Sequence, residues 1–179
     1  SVKDLRKGLS VMAGRHIEDP QSVDAPLSGS VPEKPKAALV KDISNFKLPE
    51  ATIREIEKAG SILSKNGWLV EEVEAPEVER VVEIWGTVLN NGLLEALPDE
   101  MFKPETVEYL HRFSEPFITN GINLEEALIE RRRLRRLWSS FLTEYTVCIG
   151  PTWSNLPWPI NTDLDPDKGD SVLKESFIF

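Results

Sequence analysis

The sequence predicts an α/β protein in which a partial mixed β-sheet is flanked by helices. Two short apolar runs, residues 36–42 and 68–73, are typical of buried strands, and a segment with helical periodicity lies between them. A strand, a helix and a strand joined by short links form a βαβ unit, so these two strands should run parallel. A third apolar run, residues 147–149, ends at Gly150 and Pro151. These three runs predict the sheet.

Helices are predicted wherever apolar residues recur every three or four positions. In the segment between the first two strands, Ile53, Ile56 and Gly60 share one face, and Asn66 followed by Gly67 ends the helix. The chain also opens with a helical pattern, formed by Val2, Leu5, Leu9 and Met12 and stopped at Gly14.

A helical region is predicted from about residue 77 to about residue 145. The first helix starts near Val78 and its apolar spacing continues to Leu93 and Leu94, and the second covers residues 104–118. Asn123, with Glu126 three residues later, predicts a capping box that begins the third.

Two long connections complete the predicted organisation, which is one partial domain over residues 1–179. Residues 17–35 are rich in Pro, Ser and Asp and should form a connecting loop, and residues from about 150 to 170 should form another. The chain has no starting Met and ends in Phe177, Ile178 and Phe179. We therefore expect that it is cut at both ends.

The composition argues against several classes of partner. The net charge is −9, whereas binding to nucleic acid requires a basic surface. No stretch approaches the roughly 20 apolar residues that span a bilayer, and the polar start at Ser1 lacks the apolar core of a signal peptide. Cys148 is the only cysteine, so an internal disulfide is excluded. We expect a cytoplasmic protein that binds neither nucleic acid nor membrane.

Three stretches, in order, resemble the amidase signature family. The first is the helix of residues 1–14 with Asp19 and Pro20 after it, and the second is the crossover that ends in Leu-Val-Glu-Glu-Val at residues 69–73. The third and most specific runs from the basic helix at residues 131–138 through Tyr145 to Pro151 and Thr152. Thr146 departs from the pattern, since the family usually has Asp there.

The resemblance implies an amidase whose catalytic residues lie outside this chain. Members of the family hydrolyse amides, or transfer their acyl group, with a nucleophilic Ser, a second Ser across a cis peptide bond, and a Lys as the ultimate base. Those residues, and the Gly/Ser-rich segment that builds the oxyanion hole, precede the stretch that matches Ser1. We therefore expect no catalytic residue in this chain, and a segment that is inactive by itself.

The remaining nucleophiles and bases give no replacement for that machinery. His16 and His111 are expected to be surface or packed histidines, and Cys148 lies in an apolar strand where burial makes a thiol inert. Ser171 and Lys174 match S-x-x-K but lack the companion motifs of penicillin-recognising enzymes.

Metal and cofactor sites are not predicted either. The acidic stretch of residues 163–170 has Lys where a calcium-binding EF-hand loop needs Gly, so a solvated loop is favoured. No zinc, P-loop or dinucleotide pattern occurs. The arginines are expected to form a solvated helix face that pairs with nearby glutamates. They are Arg131, Arg132, Arg133, Arg135 and Arg136, with Glu125, Glu126 and Glu130 as expected partners.

The best candidate for a functional role is the Pro- and Trp-rich segment of residues 151–159. Prolines on either side of two tryptophans should form a rigid apolar wall, and ligand pockets are mostly apolar with a few placed polar groups. By resemblance, the matching loop lies near the acyl pocket. We therefore expect Thr152, Trp153 and Trp158 to shape the choice of amide substrate, with ordinary loop packing as the alternative.

Two functions remain open at this point. The chain is either the non-catalytic portion of an amidase that acts on a small-molecule amide, or a non-enzymatic interaction or regulatory module derived from that fold. A module would bury its apolar ends against a partner or a second copy, so a homo-oligomer stays open. The sequence does not separate a simple amidase from a tRNA-linked amidotransferase subunit, and it does not identify the substrate.

Overall fold

The computed structural model describes residues 1–43, 47–92, 101–165, 167–169 and 171–172. It divides into two compact units, Ser1–Glu33 and Lys34–Phe179. The expectation of one partial domain over residues 1–179 stays a prediction. No helix in the described ranges is both long enough and apolar enough to cross a bilayer.

The first unit contains one helix, α1 (Val2–Met12). A capping box begins it: the Ser1 hydroxyl accepts a hydrogen bond from the Asp4 amide, and the Asp4 carboxylate accepts one from the Ser1 amino group at 3.0 Å. None of its residues is buried, and Leu5 is 74% exposed. The chain beyond α1 is irregular and is held by local bonds, such as that from the Arg15 amide to Asp24 Oδ1 at 2.9 Å.

A three-stranded parallel sheet forms the centre of the second unit. The strands are β1 (Lys36–Leu39), β2 (Leu69–Glu72) and β3 (Val147–Ile149), in the order β2-β1-β3. In the register of the sheet, Leu39 lies opposite Glu72 on one side and Ile149 on the other. The α/β class is confirmed. All three described strands are parallel, so the antiparallel member of a mixed sheet is not among them.

Helix α2 (Glu50–Lys65) makes the crossover from β1 to β2 and packs on the sheet through Ile56 and Gly60. A Cβ atom at Gly60 would lie 2.5 Å from Cδ1 of Leu39, so a larger residue would push the Leu39 side chain away from this contact of helix and strand. The helix ends where the Asn66 side chain donates to the Ile62 carbonyl at 2.8 Å and Gly67 takes a φ of +84°.

The described helices between β2 and β3 are α3 (Val78–Asn90), α4 (Pro104–Ile118) and α5 (Leu124–Glu144). The capping box predicted for α5 is confirmed, because Asn123 Oδ1 accepts from the Glu126 amide at 2.9 Å and Glu126 accepts from the Asn123 amide. Leu93 and Leu94, which the apolar spacing assigned to the first of these helices, lie outside the described residues.

Two apolar clusters are present among the described residues of the core. One joins the sheet to α2 and the loop after β1, and its buried members are Leu39, Ile43, Leu48, Ile56 and Val78. The other lies between α3 and α5 and buries Ile84, Ala127 and Leu134. The first cluster holds the segments that follow β1 and β2 against the sheet, and the second holds α3 against α5.

Candidate functional site

The residues predicted to shape a substrate pocket follow directly on the carboxyl end of β3. In parallel α/β sheets, ligands bind in the crevice outside the carboxyl ends of the strands. The loop after β3 begins with buried Pro151 and exposed Thr152. Its position at this edge of the sheet makes it a candidate site for a ligand.

The two tryptophans of this loop contact each other. The ring centroids of Trp153 and Trp158 are 4.6 Å apart and their planes make an angle of 38°. Both residues are partly buried, and the indole N–H of Trp153 is buried with no acceptor among the described residues. The pair therefore forms an aromatic surface after β3, and its buried donor has no partner in the described chain.

Local hydrogen bonds occur within the loop and at its carboxyl end. Asn155 Oδ1 accepts from the Leu156 amide at 2.8 Å, and Ser154 between the tryptophans is 4% exposed. Beyond Trp158, the Pro159 carbonyl accepts from the Thr162 hydroxyl at 2.7 Å. The expectation that the prolines make this loop rigid stays a prediction.

A short 3₁₀ helix (Thr162–Leu164) ties the end of this loop to α4. Arg112 of α4 donates to the Asp163 carbonyl at 3.3 Å. Gly169 packs into the same contact: a Cβ atom there would lie 2.4 Å from the Asp163 carbonyl oxygen and 2.6 Å from Arg112 Nη2. These contacts hold the carboxyl end of the loop against α4.

The acidic stretch after the loop serves local backbone groups. Asp165 Oδ1 accepts from the amides of Asp167 and Lys168 at 2.9 and 3.1 Å. Within the described ranges, no cluster of three or more His, Cys, Asp or Glu side chains is arranged to hold a metal ion. Asp170 and Lys174, which the calcium and S-x-x-K patterns include, lie outside the described residues.

The two histidines and the cysteine lie on separate elements. His16 is exposed in the first unit, where its Nδ1 accepts from the Glu18 amide at 3.3 Å, and His111 is exposed on α4. Cys148 lies in β3, where burial raises the pKa of its thiol. A raised pKa lowers the thiolate fraction and with it the reactivity, in agreement with the sequence-based expectation.

Within the arginine run of α5, Arg133 forms ion pairs with two glutamates. Arg133 donates to Glu77 before α3 and to Glu130 on its own helix, with Nη2 at 2.8 Å from Glu130 Oε1. Arg80 of α3 also donates to Glu130, at 3.2 Å. The hydrogen bond from Arg133, helped by Arg80, lowers the pKa of Glu130 to about 2. The predicted pairing with Glu130 is confirmed for Arg133.

A polar network between α3 and α4 was not anticipated from the sequence. Ser114, which is fully buried, donates to Asn90 Oδ1 at 2.5 Å, and Asn90 donates to the Gly86 carbonyl at 2.8 Å. Asn120 donates to Thr87 Oγ1 at 2.8 Å. Thr87 and Asn90 interrupt the apolar face of α3 three positions apart, which is the signal that could have revealed the network.

A second unanticipated network surrounds Tyr145, just before β3. Its hydroxyl donates to Glu71 Oε2 at 2.8 Å, and Lys36 Nζ lies 3.4 Å from Glu71 and 3.3 Å from Glu144. The hydrogen bond from Tyr145, with the charge of Lys36, lowers the pKa of Glu71. At the neighbouring position, the Thr146 amide donates to the Lys36 carbonyl at 2.9 Å, so the departure from the family pattern keeps the backbone pairing that begins β3.

The order of elements, the parallel sheet and the loop beyond β3 are those of a segment of an α/β enzyme fold. The model of the Amidase family matches residues 1–176, and the chain belongs to this family.

Curated relatives carry an amide-hydrolase name. An indoleacetamide hydrolase of Bradyrhizobium diazoefficiens (strain JCM 10833 / BCRC 13528 / IAM 13628 / NBRC 14792 / USDA 110) is 28% identical over 178 residues, which are 96% of this chain and 34% of the relative. An indoleacetamide hydrolase of Bradyrhizobium japonicum is 29% identical over 157 residues, which are 84% of this chain and 34% of the relative. The chain thus spans about a third of the length of these proteins.

Solved structures support the fold. A glutamyl-tRNA(Gln) amidotransferase subunit of Thermotoga maritima superimposes with a TM-score of 0.61 at 18% identity, covering 92% of this chain and 38% of that one. A fatty acid amide hydrolase superimposes with a TM-score of 0.55 at 15% identity, covering 77% of this chain and 26% of that one. At these identities the likeness concerns the fold alone.

Proposed function

We propose that this chain is the scaffold and pocket-wall portion of an enzyme that hydrolyses a small carboxamide through a serine acyl-enzyme. The observation that carries the proposal is the match of residues 1–176 to the Amidase family, together with relatives named as hydrolases of an amide. The nucleophilic serine, the second serine and the lysine would lie in the part of the protein outside these 179 residues. The segment alone would be inactive, and the whole protein would be cytoplasmic.

The geometry at the carboxyl edge of the sheet supports a role for the loop after β3. An acyl pocket needs an apolar wall and few polar groups, and the Trp153–Trp158 pair offers such a wall. Exposed Thr152 would border the same pocket.

Aromatic carboxamides are the substrate class that this wall favours. Tilted or offset aromatic pairs gain roughly 0.5–1.5 kcal/mol beyond the burial of their area. An aryl side chain of the substrate could extend the stack formed by Trp153 and Trp158. We therefore propose that the enzyme prefers an aryl-substituted acetamide to a short aliphatic amide.

Release of ammonia from phenylacetamide and from propionamide tests both parts of this proposal. The protein at its natural length should hydrolyse phenylacetamide with the higher kcat/KM, and the segment of residues 1–179 should release no ammonia above the blank. Turnover by the pure segment would overturn the assignment of catalysis to the rest of the protein. Failure of the natural-length protein on both amides, and on a wider set of primary carboxamides, would overturn the amidase function itself.

Replacement of single tryptophans tests the pocket wall. Trp158→Ala should lower kcat/KM for phenylacetamide by roughly 3- to 10-fold, the equivalent of one lost aromatic contact, and should leave propionamide almost unchanged. Trp68→Ala is the matched control, since Trp68 lies at the amino end of β2 and should affect both amides equally. Equal losses on both amides from Trp158→Ala would assign the loop to plain packing.

A second candidate function is an interaction module without enzymatic activity. It is favoured by the apolar face of α1, where Val2, Leu5 and Met12 are each more than 70% exposed. Such a face is typical of a helix that packs on a partner. The intact mass of the protein in its source separates the candidates: a species of 20.2 kDa favours the module, whereas a clearly heavier one favours the amidase.

A further inference from the structure

A groove between α3 and α5 combines apolar and cationic residues that have no role in the proposed amidase function. Positions 81, 84, 85 and 88 of α3 and positions 131, 134, 135 and 138 of α5 line it, and we call it the α3–α5 groove. Each set follows the i, i+3, i+4, i+7 spacing of one helix face, so two complete faces meet along the groove. Its volume is about 420 Å³, within the range of sites for a small ligand.

The floor of the groove is apolar and partly aromatic. Ile84 and Leu134 are 2% and 4% exposed and belong to the core cluster between the two helices. Trp85, which is 45% exposed, and Trp138 add aromatic surface. An exposed indole beside buried aliphatic side chains offers a place for the apolar body of a ligand.

Two cations border this apolar floor. Arg131 and Arg135 are exposed, lie one helical turn apart, and line the groove together. Arg133, between them, forms ion pairs with Glu77 and Glu130, whereas no described carboxylate pairs with Arg131 or Arg135. The described residues that line the groove include no acid, although the chain as a whole carries a net charge of −9. This is a local cationic site on an acidic protein.

Trp138 is the second tryptophan of the groove. Its ring is partly buried and also packs against the core cluster of the sheet and α2. Trp138 therefore joins the apolar floor of the groove to the core of the second unit.

We propose that the α3–α5 groove binds a small amphipathic carboxylate, with its aryl or alkyl body on the apolar floor and its carboxylate on Arg131 and Arg135. The guanidinium fork matches the two oxygens of a carboxylate, and charge-assisted hydrogen bonds of this kind are about twice as strong as neutral ones. An inorganic anion would leave the apolar floor unused. Binding of an anion requires no catalytic step, so the test of this site does not depend on the proposed amidase activity. Hydrolysis of a carboxamide would nevertheless release an anion of this class.

Calorimetric titration of the natural-length protein with phenylacetate tests the site. Phenylacetate should bind saturably, and 2-phenylethanol, which has the same aromatic body without the charge and is not an amide, should bind at this site at least ~10-fold more weakly because it lacks the charge-assisted bonds. The double variant Arg131→Gln/Arg135→Gln should weaken the binding of phenylacetate by ~10-fold or more by the same reasoning.

The matched control is Arg132→Gln/Arg136→Gln, which removes the same charge from the same helix at positions that do not line the groove. It should leave the affinity for phenylacetate within a factor of about 2, as expected for a screened surface charge. Equal weakening by the two double variants would reduce the effect to general electrostatics and overturn the site. Failure of phenylacetate to bind, or inorganic phosphate binding equally tightly, would overturn it as well.

Discussion

Helices α1 and α5 begin with the same local signal and reach opposite outcomes. Both start with a capping box, Ser1 with Asp4 in one and Asn123 with Glu126 in the other. Yet α1 has no buried residue, whereas α5 buries Ala127 completely and Leu134 to 4% exposure. A capping box determines where a helix begins, and the spacing of its apolar residues determines which face is apolar. They do not fix what that side packs against, which depends on segments elsewhere in the protein.

The largest expected effect comes from truncation of the apolar faces themselves. Leu134→Ala should lower the free energy of unfolding by roughly 2–5 kcal/mol, as in other buried Leu to Ala changes. Leu5→Ala, the same change on the exposed face of α1, should cost little in the segment of residues 1–179. Urea unfolding of the two variants measures both values, and a cost for Leu5→Ala as large as that for Leu134→Ala would contradict the comparison.

The close packing of α3 against α4 gives the second-largest expected effect on stability. A Cβ atom at Gly86 would lie 2.1 Å from Cδ1 of Phe117, so Gly86→Ala should force the ring or the helix to move and cost roughly 1–3 kcal/mol. Gly8→Ala in α1 meets no atom within 4 Å and should be neutral or slightly stabilising. Thermal unfolding of the two variants should therefore shift in opposite directions or, for Gly8→Ala, not at all.

Removal of the cap of α5 should have a smaller effect. Asn123→Ala loses the acceptor for the Glu126 amide and should cost about 1 kcal/mol. Asn123→Asp keeps an acceptor at the same place and should retain most of the stability. If Asn123→Ala and Asn123→Asp had equal stability, the capping bond would not contribute to folding.

The smallest effect concerns pH. The pKa of Glu130 is lowered from 4.5 to about 2, so its pairing with Arg133 stabilises the folded state above pH ~4.5 and is lost as the pH falls toward ~2. Arg133→Gln should therefore destabilise the protein at pH 6 and have much less effect near pH 2.5. Arg132→Gln provides the control, and a loss in Arg133→Gln that is the same at both pH values would contradict this account.

The sequence was sufficient for features that depend on neighbouring residues. It located the three strands, the parallel βαβ unit and the cap at Asn123, because these follow from period, turn residues and short spacing. It also placed Trp153 and Trp158 on one loop, and the structure brings their rings together. Their role toward a substrate remains a prediction.

Features that depend on distant segments were not accessible from the sequence. The position of β1 between β2 and β3 requires a pairing across more than 100 residues, and the bond from Arg133 to Glu77 joins residues 56 positions apart. The Asn90–Ser114 bond likewise joins two helices through residues that a composition argument treats as ordinary polar positions. No local pattern specifies such contacts, since they arise only when the helices pack.

The central claim is that the catalytic serine lies outside residues 1–179. The most direct test is to locate the acyl group on the protein during turnover. The natural-length protein would be mixed with an activated ester of phenylacetic acid and quenched with acid while the acyl-enzyme accumulates, and the digested peptides would be mapped by mass spectrometry. We predict a phenylacetyl adduct on a serine outside residues 1–179. An adduct on a serine of this segment, or on Cys148, would show that the segment carries the nucleophile and would contradict the account.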